Sequence, residues 1–132
     1  MNYLLDTHTF LWCLFAPDQL SKSAAQEITS PDNDVSISVI TLWEVSLKYA
    51  LGKLELEGVE PEELPESAEK MGVDILPISA LDAASFHKLP RLEHKDPFDR
   101  LLIWQAIQQK MVLISKDSQF EKYSKFGLKR YW

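Results

Sequence analysis

The chain has 132 residues, of which 45% are hydrophobic, and a formal net charge of −6. This length suits a single domain with a buried core over residues 1–132 and is too short for two ordinary domains. The negative charge argues against a protein that coats nucleic acid with a basic surface. It does not exclude a nuclease, because acidic side chains that bind metal ions are neutralised locally.

The start of the chain and its cysteine content bear on where the protein resides. Cys13 is the single cysteine, which excludes an intrachain disulfide and a cysteine zinc cluster. It lies in an apolar stretch, so we expect a buried and unreactive thiol. Asp6 and His8 interrupt the apolar start, so no signal peptide is expected, and no apolar run approaches the roughly 20 residues of a membrane span. The expected location is the cytoplasm, with no membrane association.

Strands and helices alternate in the first half of the chain. The alternation of apolar residues predicts the strands, and apolar residues three or four apart predict the helices. In chain order, the predictions are a buried strand over 3–5, a helix from Thr7 or His8, a short helix capped by Ser21, a strand over 35–39, a helix over 40–52 and, within an acidic connection over 55–72, a helix around 64–71.

The second half continues this alternation. The predictions there are a buried strand over 73–77, a helix to Leu89 that begins with a Ser79 and Asp82 capping box, a helix to about Lys110, a strand over 111–114, a helix over 120–123 capped by Asp117 and a strand around 128–130. Strands that alternate with helices imply an α/β fold with three α/β/α layers and a central, mainly parallel sheet. Ligands bind beyond the carboxyl ends of such strands, where Asp6 and Asp117 are expected.

Two carboxylates lie three residues apart where a loop becomes the long helix. Asp96 suits the N-cap position, Pro97 the first helical position and Asp99 the third residue of a capping box, so capping alone explains the pattern. Glu44 has a similarly plain explanation, because Lys48 is four residues later and a surface ion pair would form on the helix. Both explanations compete with a role in binding metal ions.

The predicted topology brings five acids to one edge of the sheet. Two like charges about 4 Å apart repel by roughly 4 kcal/mol at an effective dielectric constant near 20, so the cluster needs raised pKa values or a cation. Carboxylate ligands favour magnesium or manganese over zinc, and two such ions can assist attack of water on a phosphodiester. The five acids are Asp6, Glu44, Asp96, Asp99 and Asp117.

Four runs, in this order and spacing, resemble the PIN-domain ribonucleases, and the resemblance is closest to the VapC-type toxins of bacterial toxin–antitoxin pairs. The runs are Leu4-Leu5-Asp6-Thr7-His8, Trp43-Glu44-Val45-Ser46, residues 94–103 and Leu113-Ile114-Ser115-Lys116-Asp117. The resemblance implies a PIN-like fold and a magnesium-dependent endoribonuclease of single-stranded or looped RNA, with manganese as a substitute ion. It also implies an antitoxin partner that holds the enzyme inactive, and a homodimer.

The resemblance also implies roles for individual residues. The four family acids match Asp6, Glu44, Asp99 and Asp117, which are expected to be catalytic and to bind the metal. Asp96 is expected to be an additional or supporting acid, and Ser115 stands where the family often has a small hydroxyl residue. The expected RNA phosphate contacts are Arg91, Lys95, Arg100 and Lys116. For Arg100 an ion pair with Asp96 or another acid is an equal alternative, and the direction of Trp104 in the long helix is left open.

Two other functions compete with this interpretation. A haloacid-dehalogenase-like magnesium phosphatase also uses an aspartate at a strand end, but it needs a second aspartate at the position occupied here by His8. A PIN-like binding module without catalysis is disfavoured because all four family acids are present. His8 and His94 are general-acid or RNA-contact candidates with a structural role as the alternative, and Trp12, Trp43 and Trp132 are expected in the core or an interface.

Overall fold

Five parallel strands form the centre of the protein in a computed structural model that describes residues 1–132. In chain order the strands are β1 (Asn2–Leu5), β2 (Asp34–Ser38), β3 (Asp74–Leu76), β4 (Val112–Ile114) and β5 (Lys129–Tyr131). Their order in the sheet is β3-β2-β1-β4-β5, and every neighbouring pair is parallel. The predicted parallel sheet is confirmed. The prediction of a buried β3 is wrong, because it lies at an edge and Asp74 is exposed.

Six α-helices connect the strands. They are α1 (Thr7–Phe15), α2 (Lys22–Thr29), α3 (Val39–Ala50), α4 (Leu64–Lys70), α5 (Ala80–Ser85) and α6 (Pro97–Gln109). Shorter 3₁₀ turns cover Pro17–Gln19, Pro61–Glu63 and Phe86–Lys88. The segment Ser118–Phe126 is also 3₁₀, so the helix predicted over 120–123 is present within a longer 3₁₀ segment, and Asp117 caps it as predicted. None of these helices combines the length and the apolar character that crossing a membrane requires.

Polar side chains fix the helix starts. Ser21 accepts a hydrogen bond from the backbone N–H of Ala24, which confirms the predicted cap of α2. The capping box predicted for α5 is only half present. Ser79 accepts from the N–H of Asp82, but the Asp82 carboxylate accepts from Nε2 of Gln109, 2.8 Å away, instead of turning back to the cap.

The side chains of β1 alternate between two apolar cores, one on each face of the sheet. Tyr3 and Leu5 belong to the first core, and Leu4 belongs to the second. Helices cover both faces: the first core includes Phe10, Ala24, Val45 and Leu64, and the second includes Ile103, Trp104, Ala106 and Phe120. A fully buried leucine contributes about 1.5–3 kcal/mol, so both layers stabilise the sheet. The expected three-layer α/β/α architecture is confirmed.

The strand order reverses direction between β1 and β4. From β1 the chain proceeds through β2 and β3 on one side, and it then returns to place β4 and β5 on the other. Leu5 aligns with Ile114 across this junction, and the N–H of Asp6 donates to the Ile114 carbonyl over 3.1 Å. Such a reversal opens a crevice beyond the carboxyl ends of the two strands. It therefore places Asp6 beside the residues that follow β4.

Candidate active site

Asp6 is the N-cap of α1 and is almost completely buried, with 6% of its surface exposed. Its Oδ1 accepts a hydrogen bond from the N–H of Thr9 over 2.9 Å. Burial raises the pKa of the Asp6 carboxyl, and hydrogen bonding from Ser115 and Thr9 acts in the opposite direction. The side chain is thus held rigidly at the end of β1, in a place where a full negative charge is costly.

Ser115 connects the ends of β1 and β4. It is fully buried, and its Oγ accepts a hydrogen bond from the N–H of Asp117 over 3.1 Å while its side chain also interacts with Asp6. Asp117 in turn accepts from the N–H of Gln119 over 2.9 Å and caps the 3₁₀ segment. One hydroxyl side chain therefore connects the Asp6 carboxyl group to the backbone of Asp117, across the ends of the adjacent strands.

A cavity of about 260 Å³ opens at this point. It is lined by Asp6, His8, Trp12, Lys116 and Asp117. The first and fourth acids of the predicted set therefore face the same space, and Lys116, an exposed cation, borders it. A larger cavity of about 560 Å³ contains none of the five acids predicted for the site.

Glu44 lies on α3 and is 3% exposed. Its Oε1 accepts a hydrogen bond from the Thr7 hydroxyl over 2.7 Å, and its Oε2 pairs with the Lys48 ammonium. The Thr7 hydroxyl also lies 3.1 Å from that of Thr41. The ion pair with Lys48 exists as the spacing indicates, but it is not a surface pair, because the Glu44 carboxylate is buried.

Asp96 and Asp99 have separate roles at the start of α6. Oδ1 of Asp96 accepts from the N–H groups of Phe98 and Asp99, at 2.8 and 3.2 Å, which confirms the predicted N-cap. The Asp99 side chain does not return to the cap. Its Oδ2 lies 2.9 Å from Nε2 of His94, so the capping-box interpretation of Asp99 is wrong.

Asp99 shares its electrostatic environment with two other acids. Burial raises the pKa of its carboxyl to about 6, with His94 acting against the shift and the charges of Asp96 and Glu44 adding to it. Burial also acts to lower the pKa of Lys48, but the hydrogen bond and charge of Glu44, together with Asp96 and Asp99, leave it raised. Glu44, Asp96 and Asp99 therefore form a second acidic group.

The two acidic groups meet at the corner between β1 and α1. Asp6 and Asp117 face the cavity, and Thr7, the residue after Asp6, bonds to Glu44 of the second group. No three carboxylate, imidazole or thiol side chains in the structure lie close enough together to share one metal ion. Asp6 and Asp117 lie together as the topology predicts, and the other three predicted acids form the second group, which the Thr7–Glu44 hydrogen bond connects to the first.

A model of the PIN domain family matches residues 3–126 of the chain. The chain belongs to the PIN domain family. It is 29% identical over 121 residues to Ribonuclease VapC22 of Mycobacterium tuberculosis, in a match that covers 91% of this chain and 90% of that protein. The resemblance inferred from the four motifs is thereby confirmed.

Solved structures agree with this PIN assignment at the level of the fold. VapBC2 from Rickettsia felis, bound to a DNA fragment from its promoter, has a TM-score of 0.73 and 19% identity, with 99% of this chain and 98% of that chain covered. VapBC-1 from nontypeable Haemophilus influenzae has a TM-score of 0.66 and 19% identity, with coverage of 99% and 97%.

The four basic residues predicted to contact phosphate lie in different surroundings in this PIN domain. Lys116 borders the acid-lined cavity, and Lys95 is exposed without an ion pair. Arg91 lines the larger cavity. Arg100 donates to the carbonyls of Leu89 and Pro90, at 3.1 and 3.3 Å.

The Arg100 guanidinium is therefore used inside the protein. It also lies over the Phe86 ring, 5.0 Å from the ring centre, and it forms no ion pair with Asp96 or any other acid. The alternative of an ion pair between Arg100 and an acid is therefore wrong. The contacts indicate that Arg100 anchors the loop before α6, and we leave it out of the proposed phosphate contacts.

The histidine and tryptophan side chains singled out in the sequence lie in different parts of the fold. His94 contacts Asp99, whereas His8 is exposed at the acid-lined cavity. Trp104 points inward and donates from Nε1 to the carbonyl of Asp82 over 3.1 Å. Trp43 is 58% exposed and packs edge-on against Phe98.

Sequence reasoning missed Thr7 and treated Lys48 only as a surface partner. A hydroxyl residue directly after a strand-end acid was the available signal for Thr7, since it must lie at the same corner as that acid. For Lys48 the four-residue spacing from Glu44 indicates the ion pair, but burial of the pair depends on how α3 packs.

Cys13 is half-buried rather than buried, and burial raises the pKa of its thiol to about 11, consistent with low reactivity.

Proposed function

We propose that this PIN domain is an endoribonuclease that hydrolyses phosphodiester bonds in single-stranded or looped RNA with the aid of divalent metal ions. The observation that carries the proposal is the cavity at the β1–β4 junction, which is lined by Asp6 and Asp117. Membership of the PIN family and the similarity to Ribonuclease VapC22 support the same reaction class. The Thr7–Glu44 hydrogen bond connects the second acidic group to this corner of the fold, which supports the same proposal.

The donor set fits a hard divalent cation. Asp6, Glu44, Asp99 and Asp117 offer carboxylate oxygens, the ligands that magnesium and manganese prefer. The pKa values of Asp6 and Asp99 are raised because burial leaves the ionised carboxylates poorly stabilised, and the positive charge of a bound cation would stabilise them. We propose that these four residues bind one or two magnesium ions, with manganese as a substitute, and that metal binding draws together carboxylates that are too far apart to share one ion in the metal-free arrangement. When bound, the ion would supply positive charge that lowers the pKa of a nearby water and stabilises the leaving oxygen.

Other side chains position these acids. Ser115 and Thr9 hold Asp6, and the Thr7 hydroxyl orients Glu44. The Asp96 cap fixes the start of α6, and His94 bonds to Asp99. These contacts restrict the rotamers of buried carboxylates, and such restriction is what a preorganised site requires.

RNA would approach along the cations that remain exposed. Lys116 borders the cavity and is our first choice for a phosphate contact, with Lys95 as a second contact at the start of α6. Water would attack phosphorus, the bond to the 3′ oxygen would break, and the leaving oxygen would take a proton. The products would carry a 5′-phosphate and a 3′-hydroxyl.

The alternatives receive less support. A haloacid-dehalogenase-like phosphatase would need a carboxylate where the exposed His8 stands, and the family match is to the PIN domain. A binding module without catalysis gives no reason for holding Asp6, with its raised pKa, and Asp117 in one cavity.

The test is cleavage of labelled single-stranded RNA in magnesium and in EDTA. Wild type should cut in magnesium only, and Asp6→Asn should be inactive. Glu66→Gln is the matched control, because Glu66 forms an exposed ion pair with Lys70 away from the site. Equal activity in EDTA would contradict the metal requirement, and full activity of Asp6→Asn would contradict the site.

We also propose a cognate antitoxin as the inhibitor, as the VapC-type resemblance implies, and the cytoplasm as the place where RNA is met. Co-expression with the adjacent open reading frame should relieve growth arrest caused by this chain alone. Persistent arrest during co-expression would contradict that partner.

A homodimer is proposed on separate grounds. Trp43, Leu47 and Leu51 are exposed at intervals of four residues and form one apolar stripe along α3 and its end. A two-fold axis could pack this stripe against its copy. Light scattering should report a dimer for wild type and a monomer for Leu51→Glu.

A further inference from the structure

Trp12 is an aromatic side chain on the wall of a cavity that is otherwise charged or polar. The other lining residues are Asp6, His8, Lys116 and Asp117. Trp12 is only half-buried, whereas Phe10, two residues earlier on the same helix, is fully buried in the core. Part of the Trp12 side chain therefore lines the cavity, which packing of the core does not explain.

Neighbouring rings hold the indole in place. The ring centre of Trp132 lies 5.9 Å from that of Trp12 with the planes at 60°, an arrangement that supports the ring without covering it by parallel stacking. His8 is one helical turn earlier on α1, with its ring centre 5.9 Å away. A buttressed aromatic ring loses little conformational freedom when a ligand stacks on it.

The Lys116 ammonium lies over the Trp12 ring, 5.8 Å from the ring centre. Lys116 is exposed and has a flexible stem, so it can leave the ring face when another flat group arrives. Its ammonium would then be next to that group and beside the acids. A flat group with a neighbouring negative charge is the chemical description of a nucleotide in a single strand.

We propose that Trp12 is a stacking platform for one unpaired nucleobase beside the acids, with Lys116 binding the adjoining phosphate. This inference rests on the proposed function, and it gives a physical reason why the proposed endoribonuclease would prefer unpaired RNA. A base inside a duplex cannot reach the indole, because both of its faces are already stacked. Every base has a π-face, so the subsite selects unpaired structure more than sequence.

The first experiment measures binding in EDTA, where no cleavage is expected. The probes are a fluorescently labelled oligouridylate and a strand of equal length and charge whose residues are abasic. Wild type should bind oligouridylate about tenfold more tightly than the abasic strand, within the range expected for one base stacked on an aromatic side chain. Equal affinity for the two strands in wild type overturns the proposal without reference to any variant.

Substitutions then assign the effect to the indole. Trp12→Leu should lose the tenfold preference, and Trp12→Phe should keep most of it, because phenylalanine retains a π-face. The abasic strand should bind all three proteins alike. Equal oligouridylate affinity of Trp12→Leu and wild type overturns the proposal, as does an equal loss on both strands, because the variant would then keep the tenfold preference without the indole.

Cleavage in magnesium separates this inference from the proposed function. If wild type does not cut RNA but shows the Trp12-dependent preference in EDTA, the stacking subsite stands and the nuclease proposal fails. If wild type cuts RNA and Trp12→Leu cuts with the same kcat/KM and the same preference for unpaired sites, the nuclease proposal stands and the stacking subsite is wrong.

Discussion

The Thr7 hydroxyl donates a 2.7 Å hydrogen bond to Oε1 of Glu44, a residue 37 positions later in the chain. Thr7 directly follows Asp6, so the bond fixes the second acid relative to the backbone that carries the first. Both partners are buried. An uncompensated acceptor would remain at Glu44 if the hydroxyl were removed.

Replacement of that hydroxyl should therefore affect stability and cleavage together. Thr7→Val should lower the free energy of unfolding by about 1–3 kcal/mol, because it leaves a buried carboxylate oxygen of Glu44 without a hydrogen-bond donor. It should also reduce kcat/KM by about 10- to 100-fold, as loss of a ligand-orienting partner does. Thr7→Ser keeps the hydroxyl and serves as the control. If Thr7→Val cuts RNA at the wild-type rate, Thr7 does not position Glu44 for the reaction.

The two aspartates at the start of α6 should differ in their sensitivity to amide substitution. Asparagine caps helices as well as aspartate does, so Asp96→Asn should fold normally and remain within about tenfold of wild-type cleavage. Asp99→Asn removes a proposed metal ligand and should reduce cleavage below detection. Initial rates on one labelled RNA measure the contrast. Equal losses in the two variants would contradict the separation of capping from ligand binding.

The carboxyl of Asp99 should destabilise the metal-free protein near neutral pH. Its pKa is raised from 3.8 to about 6 in the fold, so the unfolded chain releases this proton first and stability falls as pH rises from about 4 to 6. Asp99→Asn removes that effect and should raise stability at pH 7.5 by at most about 3 kcal/mol, reduced by solvent screening at a side chain that is 25% exposed.

Thermal melting in EDTA at several pH values measures this effect. The stabilising effect of Asp99→Asn should diminish below pH 5, where the wild-type carboxyl is protonated in the fold. A stabilisation that stays the same from pH 4 to pH 7.5 would show that the charge of Asp99 is not its source.

Lys110 ends α6 in a left-handed conformation, with φ 56° and ψ 42°. A residue with a Cβ is strained there, whereas glycine is not. Lys110→Gly should therefore stabilise the protein by about 1 kcal/mol, measured by denaturant unfolding. Lys110→Ala retains the Cβ and should give no such gain. Destabilisation by glycine would mean that the Lys110 side chain has a role of its own.

Local sequence patterns predict the parts of the fold that depend on neighbouring residues in the chain. Alternation of strands and helices predicts the parallel sheet, and a parallel sheet places Asp6 and Asp117 at one edge. The Asp-Pro pair at 96–97 predicts the start of α6 because aspartate caps and proline suits the first turn.

The errors concern features that depend on distant residues. Arg100 bonds to backbone carbonyls of Leu89 and Pro90, which only the folded loop brings near it. Asp82 bonds to Gln109 from another helix instead of completing its local box. The edge position of β3 follows from strand order, which no local pattern encodes.

The adjacency of β1 and β4 also sets the time at which the site can form during synthesis. Thr9 bonds to the carbonyl of Ile114, 105 positions later, and the neighbouring Asp6 meets Asp117 only across the same junction. Closing so long a loop is a late event in folding. A ribosome that is still translating the segment before β4 therefore carries a nascent chain with no assembled cavity, and Asp6 can meet Asp117 only after β4 has been made.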